Sequence, residues 1–161
     1  VTAIEDVSPD FVGAQLDAVL ADIGADVVKI GMLSRAEVIA VVAERLRAHG
    51  VSQVVLDPVM VAKSGDRLLQ ADATAARREL LLPLATVVTP NVPEAEVLTR
   101  RAIGSAADME TVGAQLLRLG PRTVLLKGGH LEGAASDDTD EWSSGSASGG
   151  TTLGDVVKRK D

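Results

Sequence analysis

Three features of the sequence predict an α/β fold with a mostly parallel sheet. Four short segments, residues 26–30, 53–56, 85–89 and 123–126, are rich in Val, Leu and Ile. Longer segments with apolar residues every third or fourth position separate them. Glycines and prolines stand at the junctions, where they stop one element before the next begins. Nearly all-apolar strands that alternate with helices belong to parallel sheets covered on both faces and joined by right-handed crossovers.

Each element has a local reason. Ser8 and Pro9 read as the cap and first position of a helix. Val12, Leu16, Val19, Leu20 and Ile23 continue it on one face, and Gly24 stops it. Residues 26–30 are β-branched and short, a strand ending at Gly31. Ser34 and Glu37 have the spacing of a capping box for a helix whose stripe is Val38, Val42 and Leu46, closed by Gly50. Strand 53–56 runs into Asp57-Pro58, and a loop holding Lys63, Ser64, Gly65 and Asp66 follows. Helix 72–82 ends at Pro83. Strand 85–89 leads directly into Pro90-Asn91-Val92-Pro93-Glu94 and a short helix through Leu98. Helix 108–119 closes at Gly120-Pro121, and strand 123–126 leads into Lys127-Gly128-Gly129-His130. From Ala134 the composition turns to Asp, Ser and Gly, so residues 134–161 are expected to be irregular, with an exposed terminus.

Composition narrows the function. The chain has 161 residues, of which 46% are hydrophobic, enough for one real core or for a piece of a larger one. It has no cysteine, which excludes disulfides, thiolate metal sites and a cysteine nucleophile within these residues. Phe11 and Trp142 are its only aromatics and the net charge is −7, so nucleic acid is not an expected partner. The longest apolar run is interrupted by Asp57 and Pro58 and is too short for a bilayer span. No signal-peptide pattern opens the sequence. A cytoplasmic protein without a membrane partner is the expectation. There is no GxxxxGK[ST], no GxGxxG after a strand and no GxSxG elbow.

Ligands of open α/β sheets bind beyond the carboxyl ends of the strands. Those positions hold Gly31-Met32, Asp57-Pro58-Val59-Met60, Thr89-Pro90-Asn91-Val92-Pro93-Glu94 and Lys127-Gly128-Gly129-His130. Carboxylates suit Mg2+ and a lysine suits phosphate, so a cradle for a metal–phosphate group is one reading. Plainer roles stand beside it. Asn91 and Glu94 have the spacing of a helix cap, Asp57 could close a turn, Lys127 could reach solvent, and Met32 could fill core. Lys63 to Asp66 reads as a solvated loop, and His49 and His130 make no metal pattern. Lys29 is unusual within an apolar strand and suits a sheet edge.

The run Val28-Lys29-Ile30-Gly31-Met32-Leu33, followed by Val54-Val55-Leu56-Asp57-Pro58-Val59-Met60-Val61-Ala62-Lys63-Ser64-Gly65-Asp66, resembles the hydroxymethylpyrimidine/phosphomethylpyrimidine kinases of thiamine biosynthesis. Leu81-Leu82-Pro83-Leu84-Ala85-Thr86, Thr89-Pro90-Asn91-Val92-Pro93-Glu94-Ala95 and Val124-Leu125-Leu126-Lys127-Gly128-Gly129-His130 follow in that family's order. The resemblance covers residues 1–133 and implies a ribokinase-like three-layer αβα fold. It implies transfer of the ATP γ-phosphoryl group, with Mg2+, to 4-amino-5-hydroxymethyl-2-methylpyrimidine and its monophosphate. By that resemblance Asp57, Asn91, Glu94 and Lys127 bind the nucleotide, and Asp57 and Glu94 hold Mg2+, partly through water. Lys127 also stabilises charge during transfer, while Met32 and Val59 line the pyrimidine pocket.

The family also has a Gly-rich segment and a glutamine upstream, and a Gly-Thr-Gly-Cys-Thr-Leu motif downstream. Here the nearest echo of the latter is Gly149-Gly150-Thr151-Thr152-Leu153, with Thr151 at the cysteine position. The expectation is therefore a central piece of a kinase domain over residues 1–133, truncated at both ends, with exposed apolar edges and negligible activity by itself. A homodimer is left open. Two other readings remain: a pyridoxal-type kinase of the same superfamily, and a degenerate, non-catalytic domain that binds nucleotide or pyrimidine.

Overall fold

A computed structural model describes residues 5–60, 71–128 and 155–158. Its elements are α1 (Pro9–Asp22), β1 (Val28–Ile30), α2 (Ala36–Ala48), β2 (Val54–Leu56), α3 (Ala71–Ala76), β3 (Val87–Val88), α4 (Val92–Thr99), α5 (Ala106–Leu117), β4 (Thr123–Leu126) and β5 (Asp155–Lys158). Between α3 and β3 the helix continues as a π-helical turn, Arg77–Leu81, and a 3-10 turn, Leu82–Leu84. The strands form one sheet in the order β1-β2-β3-β4-β5. The first four are parallel, and β5 pairs antiparallel with β4.

The local signals act largely as read. Ser8 caps α1 by accepting from the Phe11 N–H at 3.3 Å, and Ser105 caps α5 by accepting from the Asp108 N–H at 3.2 Å. Gly24 and Gly50 follow α1 and α2 at φ 76° and 65°, a conformation that glycine adopts without steric penalty. The Ser34 capping box does not form. The Ser34 hydroxyl donates instead to Asp6, and α2 begins after Arg35 without a side-chain cap. Residues 155–158, expected in an irregular tail, are a strand, because β4 offers an unpaired edge that Val156 and Val157 can join. Thr151, His130 and the loop containing Lys63, Ser64, Gly65 and Asp66 lie outside the described residues.

Burial along the strands alternates. Ile30, Val54, Leu56, Val88, Val124 and Leu126 are buried and share one core with α2, α4 and α5. On the opposite face Lys29 is exposed, and Val55, Val87, Thr123 and Leu125 are only partly buried. Among the described residues, helices cover one face fully, and the other is partly shielded. Strand order explains it: each parallel strand is laid down beside its predecessor in one direction. Right-handed crossovers then place every connecting helix on the same face. The predicted stripe of α1 divides similarly. Val12, Leu16 and Leu20 pack against the core, whereas Val19 and Ile23 are exposed, because α1 is held mainly by α2 on one side. With Phe11 and Val27 also exposed, apolar surface lies along α1 and just before β1.

A salt-bridged cluster joins α1 to α2. Asp17 takes His49 at 2.8 Å and Arg45 at 3.3 Å, which gives His49 a structural position between helices. Near the start of β4, Gly120 sits at φ 125°, and a Cβ there would lie 2.6 Å from the Pro83 Cα. Gly120→Ala is expected to cost about 2–4 kcal/mol, measured by urea unfolding, from left-handed strain plus backbone collision. Gly31→Ala, with no neighbour within 4 Å, is expected to change stability by about 0.5 kcal/mol or less. Equal effects of the two substitutions would contradict this packing.

Candidate active site

Parallel strands place all their carboxyl ends on one edge, and the backbone ladder continues one or two residues beyond them. The Asp57 N–H donates to the Ile30 carbonyl at 2.8 Å, Thr89 to Leu56 at 3.0 Å, and Lys127 to Pro90 at 2.8 Å. An isolated bridge pairs Asn91 with Lys127. The candidate residues after β2, β3 and β4 are thereby held side by side through backbone bonds, before any side chain contributes.

Asp57 is the centre of the polar cluster. One carboxylate oxygen, Oδ1, lies 3.4 Å from the Lys127 Nζ and accepts from the Thr89 hydroxyl at 3.4 Å. The other, Oδ2, lies 4.0 Å from the Lys29 Nζ. The Asp57 side chain is 24% exposed, against 47% for Lys127 and 70% for Lys29, so a shielded carboxylate faces two accessible ammonium groups. Asp57 is more than a turn residue, and Lys127 does not simply extend into solvent.

Asn91 and Glu94 form the predicted cap. The Asn91 Oδ1 accepts from the Glu94 N–H at 2.9 Å, and the Glu94 Oε2 accepts from the Asn91 N–H at 2.8 Å. This reciprocal pair satisfies two donors that a helix start leaves open. The cap does not explain all of Glu94. Its side chain is buried, and burial raises its pKa above the ordinary carboxylate value. The Asn91 N–H, the Lys127 ammonium and the Met60 N–H oppose that rise, while Asp57 adds to it. Glu94, Asp57 and Lys127 therefore share one electrostatic environment.

Met32 is 37% exposed and Val59 is partly buried, so neither belongs to the sealed core, and the core-filler reading of Met32 does not hold. Met60 beside Val59 is buried. Three participants escaped the sequence reading. In the sequence Thr89 is only a strand-end residue, and Lys29 is an oddity in an apolar strand; that oddity is the available signal. Arg77 gave no signal, because an arginine in a helical segment normally faces water. It is fully buried here, and burial lowers its pKa to about 10, against the pull of Glu94 and Asp57.

Among the described residues no cluster of three or more His, Cys, Asp or Glu could enclose a metal. Mg2+ does not require one, since it keeps waters and takes one or two carboxylates together with substrate phosphates. Asp57 and Glu94 fit that donor set, and Lys127 and Lys29 fit the phosphates. No helix among the described residues is long and apolar enough to cross a membrane.

A sequence model of the family "Phosphomethylpyrimidine kinase" matches residues 1–152. A hydroxymethylpyrimidine/phosphomethylpyrimidine kinase of Rhizobium meliloti is 54% identical over 139 residues, which cover 86% of this chain and 52% of the relative. The chain thus spans about half the length of the curated relatives it matches. A crystal structure of phosphomethylpyrimidine kinase from Clostridium difficile superposes with a TM-score of 0.78 at 44% identity, over 83% of this chain and 58% of that one. A pyridoxal kinase from Staphylococcus aureus in complex with AMP-PCP and pyridoxal superposes with a TM-score of 0.72 at 34% identity, over 82% of this chain and 47% of that one. These likenesses carry the ribokinase-like fold expected from the motifs.

The raised pKa of Glu94 has a definite sign. A carboxyl that binds its proton more tightly when folded favours the folded state at low pH, and that contribution is lost as pH rises through the folded-state pKa. Glu94→Gln keeps an acceptor for the Asn91 N–H and removes the buried charge. It is expected to be as stable as the parent near pH 4 and more stable at pH 7–8, by on the order of 1 kcal/mol. Thermal unfolding across that range measures it; a variant less stable at pH 8 than at pH 4, relative to the parent, would contradict the assignment.

Proposed function

Because the chain belongs to the phosphomethylpyrimidine kinase family, we propose that it carries the metal–nucleotide half of a site for ATP-dependent phosphorylation of hydroxymethylpyrimidine and its monophosphate. The observation that carries this reading is the convergence of Asp57, Lys127 and Glu94 at one sheet edge. In the first transfer the acceptor's hydroxymethyl oxygen bonds to the γ-phosphorus and releases its proton to solvent; in the second a phosphate oxygen of the monophosphate attacks instead. In each, the bond from that phosphorus to the bridging oxygen breaks, and ADP leaves.

Such a transfer depends on positioning and on charge stabilisation more than on covalent help from the protein. A site without His or Cys is therefore chemically adequate for this half of the work. Asp57 and Glu94 would hold Mg2+, in part through water. The chemistry it would supply there is positive charge that offsets the charge of the phosphates. Lys127 exchanges its contact with Asp57 for the phosphates and stabilises the charge that grows on the departing oxygen. Lys29, on the other side of Asp57, adds positive charge at the same edge. Asn91 keeps α4 aligned through the cap, which points that helix's N-terminus toward the anion. Met32 and Val59 supply an apolar wall for the pyrimidine ring.

Calorimetry with Mg·ADP tests the proposal directly. Asp57→Ala and Lys127→Ala are each expected to weaken binding about tenfold or more, the loss of one charge-assisted contact. Unchanged affinity in both would remove the cradle. In a coupled ATP-consumption assay with hydroxymethylpyrimidine, this chain alone is expected to give no turnover above background. Clear turnover would show that the chain by itself is a competent kinase.

A further inference from the structure

The two segments that bear the proposed acceptor wall, Gly31–Leu33 after β1 and Asp57–Met60 after β2, are irregular backbone with few ladder bonds of their own. Both are reached by one side chain from a third element. The Arg77 Nη2 donates to the Leu33 carbonyl at 3.2 Å, and the Nη1 donates to the Val59 carbonyl at 3.4 Å. We infer that Arg77 is a positioning residue whose guanidinium ties the segment after β1 to the segment after β2 and thereby sets where Met32, Val59 and Asp57 stand. Its bearing on phosphoryl transfer rests on the function proposed above; the tie between the two segments does not.

Three observations separate this from mere packing. Arg77 is 0% exposed, its Nε has no hydrogen-bond partner, and its partners among the described residues are carbonyls rather than a carboxylate. Burying a guanidinium without a close ion pair is costly, and an apolar side chain of similar volume would fill the space more favourably. What an apolar residue cannot do is bond two carbonyls that lie 18 and 44 positions away in sequence. The rigid fork of arginine suits two separated acceptors, which a lysine ammonium serves less well.

The local backbone is also specialised. Arg77 opens the π-helical turn, and its carbonyl accepts from the Leu82 N–H, five residues on. π-turns are rare and recur at functional sites. Behind the guanidinium lie Asp57 and Glu94, close enough for their charges to favour its ionised form. A buried positive charge thus stands within the field of both proposed Mg2+ carboxylates, while the more exposed Lys127 and Lys29 pair with Asp57.

The test uses Arg77→Lys and Arg77→Gln in this chain, each checked for folding by circular dichroism. The readout is amide hydrogen exchange at Asp57 and Val59, whose N–H groups are bonded to the Ile30 and Asp57 carbonyls. Thr123 and Ile39, bonded elsewhere in the sheet and in α2, serve as controls. The tie predicts at least tenfold faster exchange at Asp57 and Val59 in Arg77→Gln, a smaller acceleration in Arg77→Lys, and controls within twofold of the parent. Uniform acceleration at all four amides would make Arg77 a general stability residue, and no acceleration would make it a bystander; either overturns the inference. Should Arg77→Gln fail to fold, Arg77→Lys decides by the same comparison. Mg·ADP affinity is read in parallel, with at least a fivefold loss expected in Arg77→Gln and partial recovery in Arg77→Lys; equal affinity in all three overturns the link to the site. If the parent binds no Mg·ADP, the functional reading fails, while the exchange data still decide the tie.

Discussion

The register of the parallel strands is the constraint on which the rest of the molecule depends. Val28 faces Val54, Val55 faces Val87, and Val87 faces Thr123, and the ladder runs on through Asp57, Thr89 and Lys127. A slip of one residue in any pair would turn buried valines outward. It would also separate Asp57 from Lys127, which stand 70 positions apart in the chain and 3.4 Å apart in space. Core packing and site geometry are thus specified by the same backbone bonds. Strands of two to four residues suffice because turns and helix starts at their ends extend the pairing.

Strand order imposes a second consequence. With each strand added on the same side, the connecting helices collect on one face, and the other face carries Lys29 and four partly buried side chains. The charge in β1 is tolerable for that reason. Lys29 projects on the open face at a sheet edge, where its ammonium keeps contact with water while approaching Asp57. The sealed face has no room for such a group. There Arg77 is the exception, held by two carbonyls and by the field of two carboxylates.

The site itself is a balance of unlike burials. Asp57 is shielded yet approached from solvent by two lysines, whereas Glu94 is buried and doubly engaged in a helix cap. A capping role and a metal role do not exclude each other here, because the cap aligns the carboxylate that a cation would use. What links these residues in the structure is electrostatic: Asp57 and Lys127 both act on the Glu94 carboxyl.

What could be read without the fold was local. The caps at Ser8 and Asn91, the stops at Gly24 and Gly50, the four strands and the motif residues after them follow from backbone preferences and short-range hydrogen bonds, and these survive in the structure. The Ser34 cap does not form because the helix starts one residue later, with Arg35 at the cap position, and the Ser34 hydroxyl donates to the distant Asp6. Everything that depended on which distant segments meet was decided only by tertiary structure. That includes which sheet face the described helices pack on, the strand at 155–158, the approach of Lys29 and Thr89 to Asp57, and the burial of Arg77. The physical reason is the same in each case. Periodicity and capping act over a few residues, whereas strand order and the fate of a long charged side chain depend on contacts dozens of residues apart.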